Sequence, residues 1–358
     1  MRYVKLKKAK IHEFLETLKE FGPLHAPTKV GEKSYDFKEI DDVHDVVFKY
    51  NRTLTPPRKY FHAPQETMFF YDRNTMEMQD ACKCDRFCSS EEPFILFGIH
   101  ACDVIGLRIM DTLFMDDQPD PYYAKRRKRG IIIGLSCIPD EYCFCNVRRA
   151  DYADAGFDLF LHEISDSYII RIGTVIGHQI VDSNIELYET VTTKDTDELM
   201  KWEKERRSHF TVGLGEHGSW DDIRYILELK RDDEIWKRES DKCLGCGKCT
   251  LSCPTCRCYD VKDLPELDGV TGKRVRFWDS CQFRSHGLVA GDHNFRPEKE
   301  DRFKNRYMCK NAYNIELNTA FCVGCGRCTA YCPAQINYKL NLMEIKGLIE
   351  SQPRVTDL

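Results

Sequence analysis

Two cysteine runs near the C-terminus contain the residues with the clearest chemistry. Both read C-x2-C-x2-C-x3-C-P, the first from Cys243 and the second from Cys322. Thiolates at this spacing sit on a short loop that can wrap one face of a [4Fe–4S] cluster. Glycines inside each run suit that loop, because glycine tolerates positive φ values and close backbone approach. The sequence therefore predicts two [4Fe–4S] clusters.

The last cysteine of each run is predicted to bind the cluster of the other run, as this spacing does where two clusters share a domain. The first ligand set is then Cys243, Cys246, Cys249 and Cys332. The second ligand set is Cys322, Cys325, Cys328 and Cys253. A zinc ribbon would leave part of each run unused, since tetrahedral zinc takes four ligands. A disulfide framework would need an oxidising compartment.

Four cysteines in the N-terminal half form a candidate third cluster site. Cys102 follows the apolar run 94–99, and Cys137 follows the apolar run 131–135. Two strands that each end near a cysteine place those cysteines at one edge of a parallel or mixed sheet, the edge where binding sites concentrate. Cys143 and Cys145 complete the set. Two alternatives stay open: zinc bound by the same four thiols, and cysteines that are simply small buried apolar residues.

The remaining cysteines fit no standard ligand spacing: Cys82, Cys84, Cys88, Cys256, Cys258, Cys281 and Cys309. The first three are predicted to be free thiols on a loop. Cys256 and Cys258 directly follow the first run, so we expect them to pack beside a cluster and support it. The alternative is a thiol that reacts with sulfur species. The roles of Cys281 and Cys309 stay open.

A G-x-G-x-x-G match at 213–218 is predicted to be a linker between domains. A dinucleotide-binding fingerprint must leave a strand and open the helix of a βαβ unit, whereas a charged helical segment precedes this match.

Length and composition restrict the class of protein. A chain of 358 residues is long enough for two or three domains. A net charge of −5 gives no basic face for nucleic acid. Nineteen cysteines without an apolar N-terminal segment indicate a reducing cytoplasm and metal binding. The apolar runs are strand-length, so no membrane span is expected.

The predicted fold class is α+β. A short strand at residues 3–6 and a helix with Phe14 and Leu18 on one face begin an N-terminal mixed-sheet domain, residues 1–210. A linker helix (211–230) leads to a mainly helical dicluster ferredoxin domain (231–345) with a long insert between the cysteine runs. Residues 346–358 form a tail.

Several stretches outside the second cysteine run carry a wider resemblance. They read FGIHACD at 97–103, SCIPDEYCFC at 136–145, GFD at 156–158, CPTCRC at 253–258 and WDSC at 278–281. With them the chain resembles the beta subunit of the cytoplasmic sulfhydrogenases, the soluble NADP-linked nickel–iron hydrogenases of hyperthermophilic archaea. It is more distantly similar to the electron-relay subunit of anaerobic sulfite reductase.

The resemblance implies a heterotetramer with hydrogenase alpha and delta subunits and a gamma subunit that binds FAD and NADP(H). The beta subunit would relay electrons and, with gamma, reduce sulfur or polysulfide. No acid–base catalytic residue is expected on this chain. The same resemblance assigns the eight cysteines of the two ligand sets as above and strengthens the third site. The alternative function is electron relay to a sirohaem subunit in a sulfite reductase.

Overall fold

The computed structural model describes residues 3–81, 92–212, 220–312 and 320–350. The loop cysteines Cys82, Cys84 and Cys88 and the glycine-rich match at 213–218 lie outside these ranges. Within the described ranges, no helix has both the length and the apolar character needed to span a membrane.

An eight-stranded mixed sheet forms the N-terminal half. The strand bounds are β1 Tyr3–Lys7, β2 Leu24–Gly31, β3 Ser34–Glu39, β6 Phe94–Ile99, β7 Gly130–Leu135, β8 Leu159–Glu163, β9 Ser167–Ile172 and β10 Tyr188–Glu189. Their order in the sheet is β10-β1-β9-β8-β7-β6-β2-β3. The neighbouring strands β2, β6, β7 and β8 are parallel, and the outer pairings are antiparallel. The predicted mixed sheet is therefore confirmed.

Both faces of the central strands are buried, which explains their uninterrupted apolar sequences. Ile95 and Phe97 face the core that contains helix Ile11–Leu18. Phe94 and Leu96 face a second core, against helix Ala101–Phe114. The other helices of this half are Pro121–Arg129, Val175–Ser183 and Thr193–Ser208.

A second sheet joins the N-terminal half to the insert between the cysteine runs. Its strands are β4 Gln65–Asp72, β5 Met78–Asp80, β11 Tyr259–Pro265 and β12 Thr271–Trp278, in the order β11-β12-β4-β5. Strand β12 pairs antiparallel with β4 over most of its length. The insert also contains the short strand pair β13 Leu288–Val289 and β14 His293–Asn294.

The C-terminal part is helical around a core built on Trp236, Tyr307 and Leu342. Cysteines of both ligand sets lie at the margin of this core. The short helices Lys248–Leu251 and Arg327–Ala330 pack on one another. The remaining helices are Ile223–Leu229, Ile235–Lys242, Lys299–Asn311 and Tyr338–Ile345.

Candidate iron–sulfur centres

The two cysteine runs adopt the same backbone conformation. Gly245 and Gly247 have φ values of 64° and 73°, and Gly324 and Gly326 have values of 66° and 74°. Each pair turns the chain into a short helix that carries the third cysteine of its run. The glycine spacing in the sequence thus reflects a conformational need, because side chains other than glycine rarely adopt positive φ.

The first ligand set lines one apolar cavity. Leu244, Phe303 and Ile336 contribute much of its wall. The cysteines that line it are Cys243, Cys246, Cys249 and Cys332, together with Cys328. Cys332 comes from the second run, so the structure brings it to the other three thiols of the predicted set.

The second ligand set lines a neighbouring cavity with Phe144, Pro254 and Val323. Its cysteines are Cys253, Cys322, Cys325 and Cys328. Cys253 comes from the first run, which completes the crossed arrangement. Apolar walls that carry four thiols fit an iron–sulfur cluster, whose potential depends on burial and on hydrogen bonds to sulfur.

The separation of these thiols is wider than a single ion requires. In the described ranges, no three side chains of His, Cys, Asp or Glu converge closely enough to hold one metal ion. Around a single zinc ion, with Zn–S bonds of about 2.3 Å, the sulfurs must nearly touch. A cubane offers each thiolate a separate iron corner, so its ligands lie further apart.

Arg306 lies between the two cavities and lines both. It stands on helix Lys299–Asn311, is 5% exposed, and donates from Nη2 to the carbonyl oxygen of Cys249 at 3.2 Å. Its Nε and Nη1 have no hydrogen-bond partner among the described residues. A buried guanidinium with free N–H groups beside four-thiol cavities is well placed to donate to cluster sulfur.

Arg327 and Asp103 form a buried ion pair between the second run and the N-terminal sheet. Both guanidinium N–H contacts to the carboxylate measure 2.7 Å, and each side chain is 1% exposed. Asp103 directly follows Cys102, so the pair connects the candidate third site with the second ligand set. The Asp103 carboxylate offsets a positive charge that the sequence alone would assign to the cluster environment.

The candidate third site is also assembled by the fold. Cys102, Cys143 and Cys145 belong to one buried apolar cluster. Burial, together with neighbouring Cys143, raises the pKa of Cys137 to about 12, which places Cys137 beside this group. Burial likewise raises the pKa of Cys143 to about 11. These thiols are held protonated unless a cation binds, and a bound metal deprotonates its thiol ligands.

Direct contacts join the third site to the second cavity. The Phe144 N–H donates to the Gly324 carbonyl oxygen at 2.9 Å. Arg52 Nη2 lies 3.4 Å from the Cys143 sulfur and is paired with Asp140, while its Nε donates to the Cys325 carbonyl oxygen at 3.4 Å. The third site and the second cavity are therefore adjacent layers of one packed region.

Three further thiols meet outside both cavities. The Cys258 thiol is within hydrogen-bonding distance of Cys256 and of Cys281. This contact lowers the pKa of Cys281 to about 6 and that of Cys256 well below the ordinary thiol value. We refer to Cys256, Cys258 and Cys281 as the thiol triad.

Sequence reasoning did not identify Arg306, Asp103 or Arg52 as parts of the site. Their only sequence signal is a charged residue in an element otherwise packed into the core. Nor did it identify the contact between Cys258 and Cys281, because that contact depends on how the β11–β12 hairpin folds.

Comparison with known proteins agrees with this geometry. Residues 242–336 match the family model of a 4Fe-4S dicluster domain. No solved structure shows significant similarity to the chain. Sulfhydrogenase 2 subunit beta of Pyrococcus furiosus is 42% identical over 350 residues, covering 98% of this chain and 100% of that relative. The chain therefore belongs to the family of sulfhydrogenase beta subunits.

Proposed function

We propose that this chain is the electron-transfer subunit of a sulfhydrogenase-type oxidoreductase complex, with one [4Fe–4S] cluster bound by each ligand set. The observation that carries the proposal is the pair of adjacent cavities, each lined by four cysteines drawn from both runs. A cluster bound by such a set accepts and releases one electron at a time.

The protein contributes ligation, orientation and dry surroundings. The thiolates fix each cluster, and apolar side chains such as Phe303 and Phe144 keep water away. Arg306 supplies positive charge to both cavities, which favours the reduced, more negative state. No acid or base on this chain is needed for electron transfer.

We assign Cys102, Cys137, Cys143 and Cys145 to a third centre in series with the other two. Support comes from the contact between Phe144 and Gly324, which makes this site a direct neighbour of the second cavity. The three sites would then form a line from the helical part of the chain into the N-terminal sheet.

The outer end of that line lies at the first cysteine run. Cys246 is the exposed cysteine of the described residues, and Leu244 beside it is 68% exposed. Among these cysteines it is the one a partner protein could approach most closely. We expect one redox partner to contact this loop.

Family membership supports the partners that the sequence resemblance implies. They are hydrogenase alpha and delta subunits and a gamma subunit carrying FAD and NADP(H), in a cytoplasmic heterotetramer. Reduction of sulfur or polysulfide by the assembled complex is part of the same proposal.

Iron and acid-labile sulfide in anaerobically purified chain test the proposal. Three clusters predict about twelve iron atoms per chain, and two predict about eight. Cys102→Ser should remove about four and leave the EPR signals of the other clusters in place. Cys309→Ser, which alters a half-buried cysteine outside all three sets, is the matched control. Fewer than about eight iron atoms in intact protein would refute the two-cluster assignment.

Co-purification tests the complex. Tagged chain expressed in its source cells should bring down a flavoprotein and a nickel–iron protein. Recovery of a sirohaem protein in their place would contradict the hydrogenase assignment.

A further inference from the structure

The thiol triad is assembled by the hairpin in the insert. Tyr259 of β11 pairs with Trp278 of β12 at the open end of this hairpin. Just beyond, the Asp279 N–H donates to the Cys258 carbonyl oxygen at 3.1 Å. Cys258 and Cys281 therefore flank the end of the two strands. Gln282 Nε2, 3.6 Å from the Cys281 sulfur, helps to orient that side chain.

Burial and charge differ among the three thiols. Cys256 and Cys281 are 3% and 5% exposed, whereas Cys258 is only half-buried. Two buried cations, Arg58 and Lys310, lie close enough to favour the thiolate form of Cys256. Positive charge and a donated hydrogen bond both increase the thiolate fraction, and the thiolate is the reactive form of cysteine.

Both cations are held in fixed positions. The Arg58 guanidinium stacks 3.5 Å from the centre of the Trp278 ring and donates from Nε to the Cys253 carbonyl oxygen at 2.8 Å. Lys310 donates to the Thr255 carbonyl oxygen at 2.5 Å. Their charges are therefore part of the folded structure around the triad.

The triad is distinct from the candidate cluster sites. None of its members lines either four-cysteine cavity. It also does not converge as a site for one metal ion within the described ranges. Its contacts are instead those of neighbouring thiols that exchange a proton.

We propose that Cys258 and Cys281 form a redox-active dithiol that reacts with small-molecule disulfides. Cys258 is the entry point because it is the more exposed of the two. Cys281 is the resolving thiol because it already touches Cys258. This activity goes beyond electron relay and does not require the clusters to take part.

The reaction balances as thiol–disulfide exchange. Cys258 gives its proton to a neighbouring thiolate and attacks one sulfur of the small disulfide, which releases the first small thiolate. Cys281 then attacks the Cys258 sulfur of the mixed disulfide and releases the second. The protein dithiol is oxidised to a Cys258–Cys281 disulfide, the small disulfide is reduced to two thiol molecules, and the proton leaves with them or with solvent.

Oxidised and reduced glutathione, mixed at a series of ratios, provide the test on anaerobic, cluster-loaded chain. Acid quench, alkylation and trypsin digestion separate the three thiols, because trypsin cuts after Arg257. Cys258 then lies in peptide 258–262 and Cys281 in peptide 277–284. We expect a linked pair of these peptides that rises with the oxidised fraction and reverses on reduction.

Variants and iron content complete the design. Cys258→Ser and Cys281→Ser should each abolish the linked pair with iron per chain unchanged, and Cys309→Ser should leave the linkage intact. The proposal is overturned if both cysteines stay separately alkylated at the highest glutathione disulfide concentration. A link from Cys256, or loss of about four iron atoms in Cys258→Ser, would also overturn it. Iron and EPR of the wild type report on the proposed electron relay separately, so either idea can fail alone.

Discussion

Replacing Arg306 by glutamine should lower the reduction potentials of both clusters bound at the two ligand sets. Arg306 lines both cavities, is 5% exposed and has no carboxylate partner within the described ranges. Removing its charge therefore removes a buried cation that favours the reduced state.

The size of the effect follows from Coulomb's law. At an effective dielectric constant of about 20, unit charges about 6 Å apart interact by about 3 kcal/mol, and at about 10 Å by about 1.7 kcal/mol. For a one-electron couple, 59 mV corresponds to about 1.4 kcal/mol. We therefore expect both potentials to fall by about 70–120 mV.

EPR-monitored redox titration of the anaerobic chain measures this shift. Arg302→Gln is the matched control, since Arg302 lies one turn away on the same helix, lines neither cavity and donates to the carbonyl oxygens of Gln282 and Arg296. Arg306→Lys retains the charge and should recover most of the potential. Potentials in Arg306→Gln that match those of Arg302→Gln would refute this account of Arg306.

Three further predictions concern stability. Gly324→Ala should lose about four iron atoms per chain, because its Cβ would lie 2.5 Å from the Phe144 carbonyl oxygen at a φ of +66°; Gly347→Ala, at +72° with nothing within 4 Å of the added Cβ, should cost only about 1–2 kcal/mol. Asp103→Asn should lower the free energy of unfolding by about 3–5 kcal/mol, since it leaves a buried guanidinium unpaired, whereas Asp154→Asn in an exposed pair should cost under about 1 kcal/mol. Burial and nearby Arg58 lower the pKa of His62 from 6.5 to about 2, so the unfolded chain binds a proton that the folded chain does not, and stability falls as pH drops below about 6.5.

Each of these has a direct assay. Iron content and denaturant unfolding distinguish the glycine variants, and equal iron loss in both would contradict the steric argument. Comparison of the unfolding midpoints of the two aspartate variants checks the ion pair. His62→Gln should reduce the slope of unfolding free energy against pH by up to about 1.4 kcal/mol per pH unit between pH 5 and 6, where His293→Gln at an exposed position should not.

Local spacing explains which parts of the site could be predicted from the sequence. The two ligand sets follow from cysteine spacing, and the positions of Cys102 and Cys137 follow from apolar runs that end just before them. The crossed placement of Cys253 and Cys332 follows from the same repeat. The structure brings these residues together as the sequence predicts, although their role as ligands stays a proposal.

Long-range pairing explains what the sequence did not reveal. The strands of the insert alternate charged and apolar residues without a partner that sequence alone could name, and their partner β4 lies about two hundred residues earlier. The position of Arg306 between two cavities depends on how helix Lys299–Asn311 docks. Helical spacing identifies the buried face of this helix, but it does not say what that face contacts.

The pairing of β4 with β12 also has a consequence for the order of events during synthesis. Residues 65–72 emerge from the ribosome early, yet the strand that pairs with them spans 271–278. At translation rates of about 5–20 residues per second, β4 waits about 10–40 s for its partner. Contacts this distant in sequence slow folding and leave an unpaired strand edge exposed meanwhile. A nascent chain of this kind depends on chaperones or on rapid completion, and stalling before residue 278 is the condition under which we expect it to aggregate.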